Sequence, residues 1–198
     1  MHRAFAYLVK TRCLDPKVVS VFARRHMIYE DAKYHNAVFV GFDVDGIPRH
    51  AHKRGTCQRG KPFKGNVESC DPRYSFHWIG KSDTVYVFEA PIDMLSFISM
   101  YQKDWMGHSY VALCGVAEHA LVQLLEDVPH LSKITLCLDH DKAGIEAGER
   151  IKKRLSERGY RNVFPLFSCQ KDWNEDLQAL QKPPPESIVE RQTVMQMM

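Results

Sequence analysis

The stretches TVYVFEAPIDMLSF (84–97) and KITLCLDHDKAGIEAGERI (133–151) decide the fold. Each opens with a short apolar run that ends at an acidic residue, and each continues into a segment with helical spacing. A third run, YVALC (110–114), lies between them, and a fourth, NVFPLF (162–167), follows. Because these runs are continuously apolar rather than alternating, they are typical of a parallel sheet with helices on both faces. The sequence therefore predicts an α/β domain, and Pro165 indicates that its last strand lies at the sheet edge.

Acidic residues follow these runs where each strand would end. Glu89 follows TVYVF, and Asp93 lies one helical turn beyond it. Asp139 and Asp141 follow KITLCL, and Asp172 comes shortly after NVFPLF. Ligands bind at the carboxyl ends of parallel strands, so we expect these side chains to meet. Any one of them alone is more simply explained as solvated loop charge. Together they predict a site for Mg²⁺ or Mn²⁺, since clustered carboxylates repel one another without a cation and hard oxygen ligands favour these ions.

Charge is distributed unevenly along the chain. The net charge is +3, but residues 1–80 contain 14 Lys and Arg against 7 Asp and Glu, whereas residues 81–198 contain 13 against 17. In the front half, Asp45-Gly46 predicts a hairpin turn, and residues 55–74 are expected to form a loop. Cations and aromatic rings interleave around this loop, which suits phosphates and bases, although a solvated basic loop would look the same.

Several classes of protein are not expected from the composition. The chain is 44% hydrophobic and 26% charged, and no apolar run is long enough to cross a membrane. The first residues lack the apolar core of a signal peptide, and the six cysteines form no CxxC pair. We therefore expect a cytoplasmic protein with reduced cysteines and no membrane partner. His50 and His52 lack further ligands at zinc spacing, so a zinc site is not favoured.

The two stretches quoted first resemble the TOPRIM domain, which is shared by primases, topoisomerases, recombination mediators and some nucleases. The resemblance covers residues 81–182, with a Glu after the first strand and an Asp-x-Asp after the third. Glu89, Asp139 and Asp141 match these positions, and Asp93 and Asp172 match further acidic positions seen in primases. The next place in the late motif QKDWNEDL is usually acidic but is Asn174 here, with Glu175 and Asp176 as the candidates to replace it.

The resemblance implies metal-dependent phosphoryl chemistry on nucleic acid. It assigns Glu89, Asp139 and Asp141 to catalysis, and these three together with Asp93 and Asp172 to Mg²⁺ or Mn²⁺. Residues 38–78 resemble the domain that precedes TOPRIM in primase-like proteins of plasmids and conjugative elements. That second resemblance assigns three basic residues to phosphate contacts, namely Arg54, Lys61 and Lys64.

Three functions fit these expectations. The leading one is a primase-like nucleotidyltransferase of a mobile element, acting on a single-stranded DNA template with nucleotides and a primer-template as partners, and in company with a helicase or other replication proteins. The alternatives are a TOPRIM nuclease and a non-catalytic nucleic-acid-binding module of a replication or mobilisation protein. The expected organisation is a small basic α+β domain (1–80), a TOPRIM domain (81–182), and a disordered tail or linker (183–198).

Overall fold

A computed structural model describes residues 1–57, 63–115 and 117–181. The strands of these ranges are β1 Ile28–Glu30, β2 Ala37–Phe42, β3 Pro48–Arg54, β4 Lys64–Asn66, β5 His77–Trp78, β6 Thr84–Phe88, β7 Ser109–Ala112, β8 Lys133–Leu136 and β9 Asn162–Pro165. The α-helices are α1 His2–Ala6, α2 Pro16–Arg24, α3 Pro91–Met100, α4 His119–Asp127, α5 Lys142–Glu157 and α6 Trp173–Gln181. A π-helical turn, Tyr7–Thr11, continues α1. In the described ranges, no helix has both the length and the apolar character needed to span a bilayer.

The larger sheet has the strand order β5-β7-β6-β8-β9. Strands β6 to β9 run parallel, and β5 pairs antiparallel with β7. Side chains of β6 alternate between two cores: Val85 and Val87 pack with α4 and α5, whereas Phe88 packs with α3 and α6. The predicted α/β fold with helices on both faces is confirmed, and β9 is an edge strand as Pro165 indicated.

The smaller sheet lies in the front half and has the order β1-β2-β3-β4, all antiparallel. Gly46 adopts a φ of +75° in the β2–β3 turn, which is the backbone conformation that a glycine tolerates best. The expectation of a loop over 55–74 is wrong for Lys64–Asn66, which forms β4 because its backbone pairs with the free edge of β3. The short strand β5 joins the larger sheet rather than this one.

One aromatic cluster holds the two halves together. The ring of Phe22 on α2 lies within 5.6 Å, centroid to centroid, of the rings of Phe76, Trp78 and Trp105. All four side chains are buried. Such packing fixes the front half against the larger sheet.

Candidate functional site

A cavity of about 410 Å³ opens between the front-half sheet and the carboxyl ends of β6 and β8. Its acidic lining consists of Glu89, Asp93, Asp139 and Asp172. Its basic lining consists of Arg12, Arg54, Lys64 and Lys171. The cavity therefore brings four carboxylates and four cationic groups together from distant parts of the chain.

Backbone geometry places the acidic residues at the sheet edge. Glu89 follows β6, and its carbonyl accepts a hydrogen bond from Gly115 N at 3.3 Å. Asp139 follows β8, whose extension is anchored where Cys137 N donates to Val87 O at 2.7 Å. A Cβ on Gly144 would lie 2.1 Å from the Asp139 carbonyl oxygen, so only glycine lets α5 begin this close to Asp139.

Asp139 has the clearest electrostatic signature in the cavity. Its Oδ1 is buried and has no hydrogen-bond partner among the described residues. Burial, followed by repulsion from the carboxylates of Glu89, Asp172 and Asp141, raises the pKa of Asp139 to about 7. Lys171 opposes this shift. A cation bound at this oxygen would offset the repulsion between the carboxylates and would give Oδ1 the partner that it lacks.

Two further carboxyl groups in the cavity, those of Asp93 and Glu89, also have raised pKa values. Burial raises the pKa of Asp93 well above its usual range, and the charges of Asp172 and Asp139 add to the effect. The pKa of Glu89 is raised by burial and then by Asp141, while Lys64 and Lys171 lower it. The influence of Lys64 shows that the front-half sheet acts electrostatically on the acidic residues.

Asp141 differs from its neighbours because it caps a helix. Its Oδ1 accepts a hydrogen bond from Gly144 N at 3.0 Å, and its Oδ2 lies 3.7 Å from Lys171 Nζ. The hydrogen bond to Gly144 is the main cause of its lowered pKa. Asp141 is not among the residues that line the cavity, although its charge reaches Glu89 and Asp139.

The late motif folds into a compact turn before α6. Asp172 Oδ1 accepts from Glu175 N at 2.7 Å, and Asp176 accepts from the backbone N–H groups of Cys169 and Gln170. Trp173 Nε1 donates to Cys137 O at 2.9 Å, which braces the turn against the end of β8. Asp176 therefore holds the turn together, and Asp172 faces the cavity.

Asn174 is buried and joins both halves of the molecule. Its backbone N donates to Asp93 Oδ1 at 3.3 Å, and its Nδ2 donates to Arg12 O at 2.8 Å and to Ser96 Oγ at 3.0 Å. Its Oδ1 accepts from Arg12 Nη1 at 3.1 Å. Each of these polar atoms has a protein partner: the side-chain amide positions Arg12 and holds Ser96, and the backbone N–H positions Asp93.

Two of the basic side chains, those of Arg12 and Arg54, meet at the hydroxyl of Tyr7. Arg12 Nε donates to the Tyr7 hydroxyl at 2.7 Å, and Arg54 Nε lies 3.4 Å from the same oxygen. His52 Nδ1 pairs with Asn66 Oδ1 at 2.7 Å, so this ring is engaged in a structural contact. Lys61, the third basic residue expected to contact phosphate, lies outside the described residues.

The donor set fits a hard divalent cation in its chemistry. It offers the carboxylate oxygens of four acidic residues, among them the unpartnered buried Oδ1 of Asp139. Over residues 1–57, 63–115 and 117–181, no three His, Cys, Asp or Glu side chains are arranged to hold a metal ion as they stand. The side chains would therefore have to adjust on binding.

Sequence reasoning missed Arg12 and Lys171 as contributors to this cavity, and it considered Asn174 only as a departure from the acidic motif. Lys171 stands next to Asp172, so its position could have been inferred from the late motif. Arg12 gives no such signal, because only the tertiary packing brings the N-terminal turn to α6. Side-chain amides of α6 make this packing specific, since Gln178 donates to Thr11 O and Gln181 to Cys13 O.

A parallel sheet with acidic residues beyond its strands, beside a basic antiparallel sheet, is the arrangement expected of a TOPRIM-type α/β protein. Residues 86–177 match the family model described as Toprim-like, and residues 6–82 match the model described as protein of unknown function (DUF3991). The chain therefore carries a Toprim-like domain preceded by a DUF3991 domain.

The curated relatives that this chain resembles in sequence are uncharacterized proteins. The chain is 24% identical to an uncharacterized protein of Bacillus anthracis plasmid pXO2, pXO2-78, over 91% of this chain and 58% of the relative. It spans about half the length of the curated relatives it matches.

The solved structures that this fold resembles include primases. The primase fragment of the bacteriophage T7 primase-helicase protein has a TM-score of 0.65 at 17% identity, covering 91% of this chain and 72% of that chain. The DnaG primase catalytic domain bound to ssDNA has a TM-score of 0.59 at 14% identity, covering 96% and 73%. These likenesses establish the fold.

Proposed function

We propose that the chain is a primase-like nucleotidyltransferase that uses Mg²⁺ or Mn²⁺ and a single-stranded DNA template. The observation that carries the proposal is the cavity itself. The unpartnered carboxylate oxygen of Asp139 lies in the same cavity as arginine and lysine side chains. A nucleoside triphosphate with its metal ions carries the complementary arrangement of charges. A plasmid-encoded relative and primase folds are in keeping with a role in replication of a mobile element.

The residues divide this task in the proposed mechanism. Glu89, Asp139 and Asp172 would hold the metal, and Asp93 and Asp141 would support it from the buried side and from the start of α5. When bound, such ions neutralise the phosphate charge and favour attack by a 3′-hydroxyl. Arg12, Arg54, Lys64 and Lys171 would bind phosphate oxygens, with Lys61 as a further candidate. Template strands, nucleotides and a helicase are the proposed partners.

A metal-dependent assay tests this function. Purified protein with Mg²⁺ or Mn²⁺, nucleotides and single-stranded DNA should produce short oligomers, and Asp139→Asn should reduce product formation at least 100-fold. The same substitution should abolish the rise in unfolding temperature that Mg²⁺ gives the wild type, which provides a readout independent of activity. Glu157→Gln, an exposed position on α5, is the matched control.

The outcomes separate the competing functions. Shortening of labelled DNA without nucleotides would indicate a nuclease. Binding that is indifferent to chelator and to Asp139→Asn, with no product, would indicate a non-catalytic module. Either result would contradict the proposed polymerase activity.

A further inference from the structure

A stacked pair of exposed rings lies just outside the acidic cavity. The rings of His140 and Phe167 are 4.9 Å apart, centroid to centroid, with 23° between their planes. His140 Nδ1 lies 2.9 Å from Ser168 O, which fixes the imidazole orientation. His140 is exposed and Phe167 keeps 41% of its surface accessible, so the pair presents aromatic surface to solvent.

The pair is continuous with the cavity wall. His140 stands between Asp139 and Asp141 in the chain, and its backbone N donates to Lys171 O at 2.7 Å. Asp139 and Lys171 both line the cavity. A nucleic-acid strand that leaves the cavity past Asp139 and Lys171 would therefore pass close to His140.

We infer that the His140–Phe167 pair is a stacking platform for a base of single-stranded nucleic acid entering or leaving the cavity. Aromatic rings bind single strands because every base offers a flat face, whatever its identity. Lys142 follows His140 by two residues, and the carbonyl of Lys171 accepts from the His140 backbone N. Their side chains are 90% and 57% exposed and lie 3.8 Å from Glu146 and 3.7 Å from Asp141, and they would supply cations for the neighbouring phosphates. The inference deepens the proposed function and rests on it for the nature of the ligand.

The edge strand beside the pair is poorly suited to a protein partner that adds a strand. Leu166 N donates inward to Leu136 O, so by alternation the backbone nitrogen of residue 165 faces outward. That residue is proline and has no N–H to donate. The side chains of Phe164 and Leu166 are also exposed, but the missing N–H at residue 165 interrupts backbone pairing along this edge.

The inference is tested by measuring how tightly the protein binds a fluorescein-labelled oligo(dT) of twelve nucleotides in EDTA. Phe167→Leu keeps an apolar side chain but removes the ring, and it should weaken binding about 5- to 50-fold. Phe167→Trp should bind as tightly as the wild type. His140→Ala removes the other ring and should weaken binding in the same direction. Leu180→Ala, at an exposed apolar position on α6, is the control and should change nothing.

An abasic oligomer of equal length and charge isolates the stacking contribution. The wild type should prefer oligo(dT) over this probe, and Phe167→Leu should lose most of the preference. Wild-type affinity in Phe167→Leu and His140→Ala, or an undiminished preference, would overturn the inference and leave the surface to a protein partner. Asp139→Asn, measured in parallel, separates this inference from the proposed function. If Asp139→Asn loses primer synthesis while Phe167→Leu binds oligo(dT) like the wild type, the stacking platform is refuted and the proposed function stands.

Discussion

At the scale of single residues, Asn174 shows how a position in an acidic motif can serve another purpose. Its amide donates to Arg12 O and Ser96 Oγ and accepts from Arg12, which no carboxylate could do, since a carboxylate only accepts. A second charge there would also lie beside Asp93, whose own carboxyl is already crowded by negative neighbours. The amide therefore suits this place better than the expected acid.

We predict that Asn174→Asp destabilises the metal-free protein by about 1 to 3 kcal/mol, because two buried donations are lost and a charge is buried. Urea unfolding at pH 7.5 in EDTA measures the change. Asn162→Asp, at an exposed position, should leave stability within about 0.5 kcal/mol. Tighter Mg²⁺ binding by Asn174→Asp than by the wild type would instead identify residue 174 as a ligand position.

The sequence predicted which acidic residues approach one another, and topology explains why. Parallel strands end at one edge, so Glu89 and Asp139 meet whatever the loops do. Their placement on the cavity wall agrees with that expectation, while their roles as ligands stay predictions. The orientation of Asp141 could not be inferred, because a residue at a helix start can either cap the helix or face the site. The place of Arg12 in the cavity could not be predicted, since no local pattern encodes its contact with Asn174 across 162 residues.

At the scale of secondary-structure elements, the start of α5 sets the position of Asp139. Gly144→Ala would place a methyl group 2.1 Å from the Asp139 carbonyl, so we predict a loss of about 2 to 3 kcal/mol or more together with loss of activity. Gly148→Ala is the matched control in the same helix. Its added Cβ meets only Leu138 Cδ1, at 3.9 Å, so it should stabilise the protein by about 0.5 to 1 kcal/mol. Thermal and urea unfolding of both variants measure the contrast, and equal effects would contradict it.

Elements with a strong local signal were predicted well, and those that depend on a neighbour were not. The run TVYVF is β6 over the same residues, 84–88, because its β-branched residues are buried in a parallel sheet. The other three parallel strands are shorter than their apolar runs by one or two residues. Strand β4 has the sequence Lys-Gly-Asn, which carries no strand signal and becomes a strand only through pairing with β3.

At the scale of the whole molecule, stability should fall in acid through His50. This side chain is 2% exposed, and neither ring nitrogen has a hydrogen-bond partner among the described residues. Burial lowers its pKa from 6.5 to about 4; the nearby charge of His52 adds to this, and Asp71 opposes it. Between about pH 4 and 6.5 the native state therefore binds fewer protons than the unfolded state, so the free energy of unfolding decreases as the pH falls through this range. Above pH 6.5 His50 is neutral in both states and costs no stability.

We predict that His50→Leu removes up to about 3 kcal/mol of this pH dependence. Free energies of unfolding at pH 7.5 and 4.5 should differ less in the variant than in the wild type. His130→Leu, at an exposed position, should preserve the wild-type difference. An unchanged difference in His50→Leu would show that other groups cause the acid sensitivity.

The modest net charge of +3 conceals two halves of opposite sign that meet at one cavity. Without metal, the carboxylates of Glu89, Asp139 and Asp172 should repel a phosphate backbone that the arginine and lysine side chains attract. We therefore predict that Mg²⁺, at constant ionic strength, tightens binding of single-stranded DNA about 3- to 10-fold in the wild type. Asp139→Asn combined with Asp172→Asn should bind more tightly in EDTA and lose the response to Mg²⁺, because the repulsion is already gone. Fluorescence anisotropy titrations measure both effects, with Glu157→Gln as the control. An equal Mg²⁺ response in all three proteins would assign the ion to the DNA rather than to the cavity.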